Sequence, residues 1–260
     1  MKFNAWARHL PQALARPLFG DRRRHGLDVK ESDPHWQQWL TTSGKFYESN
    51  QRSGIGLRVN DAGYQVMRKV SLEGRRVLEI GPGDIRHHVH WIGRPASYTL
   101  FDVSEDMLAK GTSKLAALGV EAQAVLWKRA AEPWPFESGA FDVIVSFYAF
   151  EHMYPFAPVQ ANLRRLLAPG GVIVGAIPCE GGLAWGVGRM LTSRRWFQRH
   201  TQIDPDKIIC WEHPNFADSV LDDLALTFGP ARLSWWPWGV PSIDLNLVVS
   251  FIFERDESIS

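Results

Sequence analysis

The chain has 260 residues, 45% of them hydrophobic and 22% charged, enough to bury a sizeable core in one main domain with attachments. A formal net charge of +1 argues against a large electrostatic footprint for nucleic acid and leaves room only for a local basic patch, and no nucleic-acid partner is expected. Two cysteines, Cys179 and Cys210, are too few for a disulfide framework and lack metal-ligand spacing, which points to a reducing, cytoplasmic setting. Behind Lys2 the apolar residues are interrupted by Arg8, Pro11, Arg16 and Pro17 before a signal-like run accumulates. No run reaches the roughly 20 apolar residues that span a bilayer, so no transmembrane segment is expected, while peripheral membrane contact stays open.

In chain order, residues 1–35 are rich in arginine and proline and read as a short helix followed by an exposed loop through Asp21-Arg22-Arg23-Arg24-His25. Apolar spacing predicts two helices between Pro34 and Val70, with a break at Ser53-Gly54-Ile55-Gly56. From Arg76 the pattern becomes short apolar runs separated by helix-length segments: strands at 77–80, 98–101, 124–127, 141–145 and 171–177, helices at 104–118 and 158–167. Phe216 to Phe228 reads as a further helix, and Arg232 to Trp236 and Leu245 to Phe253 as two strands around Pro237, Gly239 and Pro241. The fold class is therefore α/β: a Rossmann-like doubly wound sheet of about seven strands, mostly parallel with an antiparallel C-terminal strand. An apolar and basic stretch, Trp185 to Arg199, reads as a lid inserted within 179–212.

The sharpest local signal is Val77-Leu78-Glu79-Ile80-Gly81-Pro82-Gly83-Asp84, a strand that ends in an acid and a glycine turn ahead of an expected helix. Glycines there let the backbone approach a ligand where a Cβ would collide. The next strand ends at Asp102, about 20 residues on, where such a fold presents a carboxylate to two ribose hydroxyls. Asp102 also suits a loop or cap role, since Ser104 opens a helix with Glu105 and Asp106 in its first turn. A nicotinamide dinucleotide fits poorly, because the fingerprint's third glycine is Arg86 here.

Together these residues make the chain resemble the class I S-adenosylmethionine (SAM)-dependent methyltransferases, of the broad group that modifies small molecules. Glu79, Gly81 and Gly83 match the family's first motif, whose last glycine is Ile85 here. Asp102, Val103 and Met107 match its second strand and adenine contact, and Ala131-Glu132 before Trp134-Pro135-Phe136 match its adenine edge, with Ala130 where the family often has an acid. Ser146 through Glu151-His152, and Leu167-Ala168-Pro169-Gly170-Gly171, match the segments around strands four and five. The resemblance implies SAM as cofactor, held by Glu79, Gly81, Pro82, Gly83, Asp102, Val103, Met107, Ala131, Glu132 and Ser146. It also implies a small-molecule acceptor such as a sugar, lipid precursor or secondary metabolite.

On this reading residues 1–65 are a helical and loop attachment that covers cofactor and substrate, and 66–260 the SAM-binding core. Tyr47, Gln51, Arg58 and Tyr64 are the attachment's candidates for closing over the cofactor. If the acceptor is a hydroxyl, His152 and His213 are the first candidates for taking its proton. His87 and His90, three apart, invite a metal reading, but no cysteine is nearby and no metal is expected. The alternative is a non-catalytic SAM- or nucleotide-binding regulatory module, which binding without transfer would reveal.

Overall fold

The computed structural model describes residues 2–50, 54–128 and 133–256. Its centre is a seven-stranded sheet of β1 (Arg76–Ile80), β2 (Ser97–Asp102), β3 (Ala122–Leu126), β4 (Phe141–Phe147), β5 (Leu167–Pro178), β6 (Arg232–Trp236) and β7 (Val248–Glu254), in the order β3-β2-β1-β4-β5-β7-β6. β1 to β5 pair in parallel, β7 runs antiparallel to β5, and β6 pairs antiparallel with β7. One strand therefore opposes the rest, as expected. The order reverses between β1 and β4, and the crevice at the carboxyl ends of these strands is where open α/β sheets bind ligands.

Alternation along each strand builds a core on both faces. Leu78, Ile80, Ile144 and Phe251 enter one cluster with Leu163 and Leu221, carried by the helices α6 (Phe156–Leu166) and α10 (Ala217–Phe228). Val77, Val143, Val145 and Ile252 enter the other with Leu108 and Leu115 of α5 (Glu105–Ala117), as side chains of period two must. Ser104 caps α5 by accepting the Met107 N–H at 3.4 Å, with Glu105 and Asp106 suited to the positive helix start.

The helix expected after Gly83 does not form. A 3-10 turn at Arg86–His90 takes its place, because His87 bonds back to Glu79 and Leu72 N–H bonds to Ile92 O, which draws the chain against β1 rather than along the sheet.

The N-terminal segment is more structured than a short helix and loop. A 3-10 turn at Trp6–His9 is followed by α1 (Gln12–Phe19) and α2 (Arg22–His25). Carboxylates strap it down: half-buried Asp222 accepts from Phe3 N–H, and buried Asp218 from Ala5 N–H and Asp244 from the N–H groups of Trp6 and Ala7. Two helices follow as expected, α3 (Pro34–Asn50) and α4 (Gly54–Tyr64). The inserted segment folds as α7 (Leu183–Leu191), α8 (Ser193–His200) and α9 (Pro205–Glu212). Attachment and insert share a separate apolar cluster of Trp39, Phe46, Phe197, Ile203 and Ile208. Arginines of the lid stretch are partly used internally, Arg189 on Glu180 and Arg194 on Asp206. Among the described residues no helix is long and apolar enough to cross a membrane.

Candidate functional site

Two corners meet at the carboxyl edge of the sheet. In the first, β1 delivers Glu79 and then turns through Gly81 (φ 67°) and Gly83 (φ 53°), in the left-handed region that glycine enters freely. A Cβ on Gly81 would sit 2.7 Å from that of Ala149, whereas the same atom on Gly83 would meet nothing within 4 Å, so the crest of the turn is open. Ile85, where the resembled motif has glycine, keeps the left-handed backbone (φ 51°, ψ 38°). That conformation costs about 1–2 kcal/mol for a residue with a Cβ. Burial of its side chain among Leu100 and Leu108 offsets the strain.

Glu79 faces inward, 1% exposed. Its Oε2 accepts from the Tyr98 hydroxyl at 2.5 Å and its Oε1 lies 2.8 Å from His87 Nε2. Trp91 Nε1–H donates to His87 Nδ1 at 3.0 Å, so the His87 proton sits on Nε2 and is donated to Glu79. Burial, with the neighbouring Glu79 carboxylate, pushes the Tyr98 hydroxyl well above its ordinary range and keeps it a donor. The histidines of this turn do not converge: His90 Nδ1 accepts from Arg68 and His88 Nδ1 bonds Ile85 O. Arg86 reaches Asp61 of α4 at 3.4 Å.

Beside this turn, Gly81 N–H bonds Phe101 O at 3.0 Å, which places Asp102 on the adjoining strand end. Asp102 Oδ1 accepts from Ser104 N–H at 2.7 Å, and burial raises its carboxyl above the usual range against the pull of the Ser104 and Val103 N–H groups. Val103 is exposed and Met107 half-buried in the first turn of α5. Ser146 on β4 stands in register with Ile80, its Oγ buried and making no hydrogen bond. Pro82 is buried within the turn. Ala130, Ala131 and Glu132 lie outside the described residues, as do Gln51 and the side chain of Tyr47. Arg58 is exposed, and Tyr64 packs edge-on against Phe147 with ring centroids 5.0 Å apart.

The second corner begins where β4 ends. Tyr148 (φ 55°) points its hydroxyl under α4, toward Val59 O at 3.0 Å and Asn60 O at 2.9 Å. A 3-10 turn at Phe150–His152 then presents Glu151 and His152 to His213, the residue that ends α9. The His152 and His213 rings stand 4.6 Å apart at 54°. Glu151 is 3% exposed, with Oε2 buried and without a hydrogen bond, and burial pushes its carboxyl up to about 7 against the pull of His152. His152 Nδ1 bonds the backbone oxygen of Glu212. His213 Nδ1 lies 3.3 Å from Glu180 Oε2, and burial, then the positive neighbours His152, Arg189 and Arg22, carry the ring well below its ordinary value.

This corner is held from three directions. Glu180, 0% exposed, is clasped by both terminal nitrogens of Arg189 and by Trp185 Nε1 at 2.8 Å. Arg22 donates to His213 O at 2.7 Å and Pro214 O at 2.6 Å while stacking on Phe216. Asn215 Nδ2 bonds Phe150 O at 2.9 Å and Met153 O at 2.6 Å. His152 and His213, 61 residues apart in sequence, are thus brought together as candidates. Glu180 carried no sequence signal and Arg189 stood only as one arginine of the lid stretch, since only the fold pairs the two. His87 stood in plain view, but its bond to Glu79 depends on a turn that replaces the expected helix.

Residues 77–171 match the family described as Methyltransferase domain. The matched stretch runs from β1 into the start of β5, and so takes in the glycine turn and the end of β2 that carries Asp102. The chain is 31% identical over 102 residues to the ubiquinone/menaquinone biosynthesis C-methyltransferase UbiE of Psychromonas ingrahamii, across 38% of this chain and 41% of that protein. The match thus spans about two fifths of the length of the curated relatives. Among solved structures, a SAM-dependent methyltransferase of Mesorhizobium loti superposes with a TM-score of 0.50 at 16% identity, covering 72% of this chain and 93% of that one. The CurJ carbon methyltransferase gives 0.52 at 16% identity, covering 85% and 59%. At these identities the structures speak for the fold alone.

Proposed function

We propose that the protein transfers the methyl group of SAM to a small-molecule acceptor: a sugar, lipid precursor or secondary metabolite. The observation that carries this is the open crest at Gly83 beside the Asp102 carboxyl, on adjoining strand ends where the sheet order reverses. In this reading Gly81, Pro82 and Gly83 admit the cofactor, Asp102 accepts its ribose hydroxyls, Val103 and Met107 flank the adenine, and Ala131 and Glu132 meet the adenine edge. Ser146 supplies a polar group at the floor, and Glu79 acts by pinning the turn through His87. Residues 1–65 and the insert at 179–212 form the cover.

When bound, the cofactor supplies an electrophilic methyl carbon. The protein's share is to align the acceptor in line with it and keep water out. His152 and His213 stand on the acceptor's side, where an imidazole takes up the proton that a hydroxyl acceptor loses as the new bond forms. The name of the relative from quinone biosynthesis favours a lipid precursor. The buried thiols of Cys179 and Cys210 support a reducing, cytoplasmic location.

Calorimetric titration with SAM and S-adenosylhomocysteine tests the reading, followed by transfer of a tritiated methyl to a panel of acceptors. Asp102→Ala is expected to weaken cofactor binding by about 10-fold or more, the loss of about 1.4 kcal/mol of hydrogen bonding. Absence of binding at millimolar concentration ends the proposal. Binding without transfer to any acceptor replaces it with a regulatory module.

A further inference from the structure

Glu151, His152 and His213 converge from two separate segments: one ligand-type atom from each lies within 4.8 Å of the others. We propose that these three residues form a divalent transition-metal site of the kind that takes zinc. Two imidazoles and one carboxylate are a donor set zinc accepts, with a fourth tetrahedral position left for water or an oxygen of the acceptor.

The surroundings are those of ligands held in place. His152 Nδ1 is engaged by the Glu212 carbonyl, which fixes its proton there and leaves Nε2, 3.9 Å from Glu151 Oε1, as the free lone pair. His213 Nδ1 lies 3.3 Å from the Glu180 carboxylate and makes no hydrogen bond, a buried ring nitrogen that the neighbouring carboxylate would orient once the ring holds a cation. Glu180 is itself clasped by Arg189 and Trp185. Glu151 Oε2 is buried and makes no hydrogen bond, an acceptor position that a bound cation would fill. The backbone on both sides is tied by Asn215 and Arg22, so the three ligand atoms are brought within 4.8 Å of one another by anchored segments.

The site lies next to the cofactor turn, since Ala149, two residues before Glu151, is the residue whose Cβ limits Gly81. Only the metal's purpose rests on the methyltransferase reading. In that reading Glu151, His152 and His213 would hold the cation in place of either imidazole acting as the base, and a bound cation would lower the pKa of a hydroxyl acceptor so that its proton passes to solvent.

The test uses the full chain, free of any affinity tag and stripped with a chelator, dialysed against micromolar Zn2+ and then measured for bound metal. Co2+ serves as a second probe through the visible bands of a tetrahedral site. One zinc per chain is expected. His152→Ala, His213→Ala and Glu151→Gln should each weaken binding by roughly 10-fold or more, and His200→Ala, on an exposed face of α8, should not. His152 is a third exposed, so its alanine variant should keep the wild-type melting profile and stand as the decisive case if the buried variants unfold. Substoichiometric zinc, or zinc binding unchanged by His152→Ala, overturns the site. SAM titration of the same preparations separates the two ideas. Zinc without SAM binding supports the metal site and removes the methyltransferase reading, and SAM without zinc removes the metal site alone.

Discussion

Two of the buried glutamates at the carboxyl edge of the sheet, Glu79 and Glu151, stand in opposite states. Glu79 has a donor for each oxygen, Tyr98 on one side and His87 on the other, with Trp91 behind the histidine. Glu151 is buried almost as deeply, yet one oxygen makes no hydrogen bond and its nearest basic neighbour is His152 at 3.9 Å. A saturated acid fixes geometry: it ties the end of β1, the 3-10 turn and β2 into one frame around an open glycine crest. An unsaturated acid between two imidazoles holds polar capacity in reserve, which is how reactive or ligand-binding groups differ from structural ones in a low-dielectric setting.

The largest expected effect breaks or upholds that contrast directly. Glu79→Leu strands two buried donors, the Tyr98 hydroxyl and the His87 Nε2–H, and is expected to cost about 3–5 kcal/mol in urea unfolding. Glu151→Leu, at a similar depth and in chelator, removes a carboxyl group that lacks full partners and is expected to leave stability equal or raised. Equal losses at the two positions would show that Glu151 is as well satisfied as Glu79.

A middle-sized effect is expected where α4 closes over the second corner. A Cβ at Gly63 would lie 2.3 Å from the Tyr148 hydroxyl and 2.7 Å from the Cβ of Ala176. Gly63→Ala should therefore cost about 1–3 kcal/mol by overpacking, read from the denaturation midpoint. Tyr148→Phe in the same chain should recover only part of the loss, because the ring and Ala176 remain in the way.

How much of this was legible in the sequence follows from where each signal is local. The strand after Arg76 showed itself because its side chains are buried on both faces, and β6 falls at 232–236, as the alternation predicted. Gly81 and Gly83 were legible because a turn with positive φ tolerates few other residues. The helix after Gly83 was misread, since nothing within Arg86 to His90 reveals that His87 bonds Glu79 across the turn. His152 and His213 could be named from their neighbourhoods, but their meeting, with Glu180 behind one and the Glu212 carbonyl behind the other, is made by packing of α9 against the end of β4. Buried charge pairing between distant segments leaves no periodicity to read.

The smallest expected effect lies at the opposite end of β1, and it sharpens the comparison by supplying a pair that is satisfied but wet. Arg76 donates through Nη2 to Asp142 Oδ1 at 2.7 Å and through Nε to Oδ2 at 3.0 Å, with side chains 46% and 21% exposed. The Arg76 hydrogen bond holds the Asp142 carboxyl below its ordinary value of 3.8. A depressed acid contributes stability that is complete above the unfolded value and lost as pH falls through the folded one. Asp142→Asn should therefore cost about 0.2–1 kcal/mol at neutral pH. That cost should fade as pH drops below 3.8 and the wild-type carboxyl takes up its proton. Added salt should shrink it as well, because exposed pairs are screened, while the loss from Glu79→Leu should hold at high salt, since its partners are shielded from ions by the core. If instead both losses fall together with salt, the frame around the glycine crest is more open to solvent than its 1% exposure at Glu79 implies.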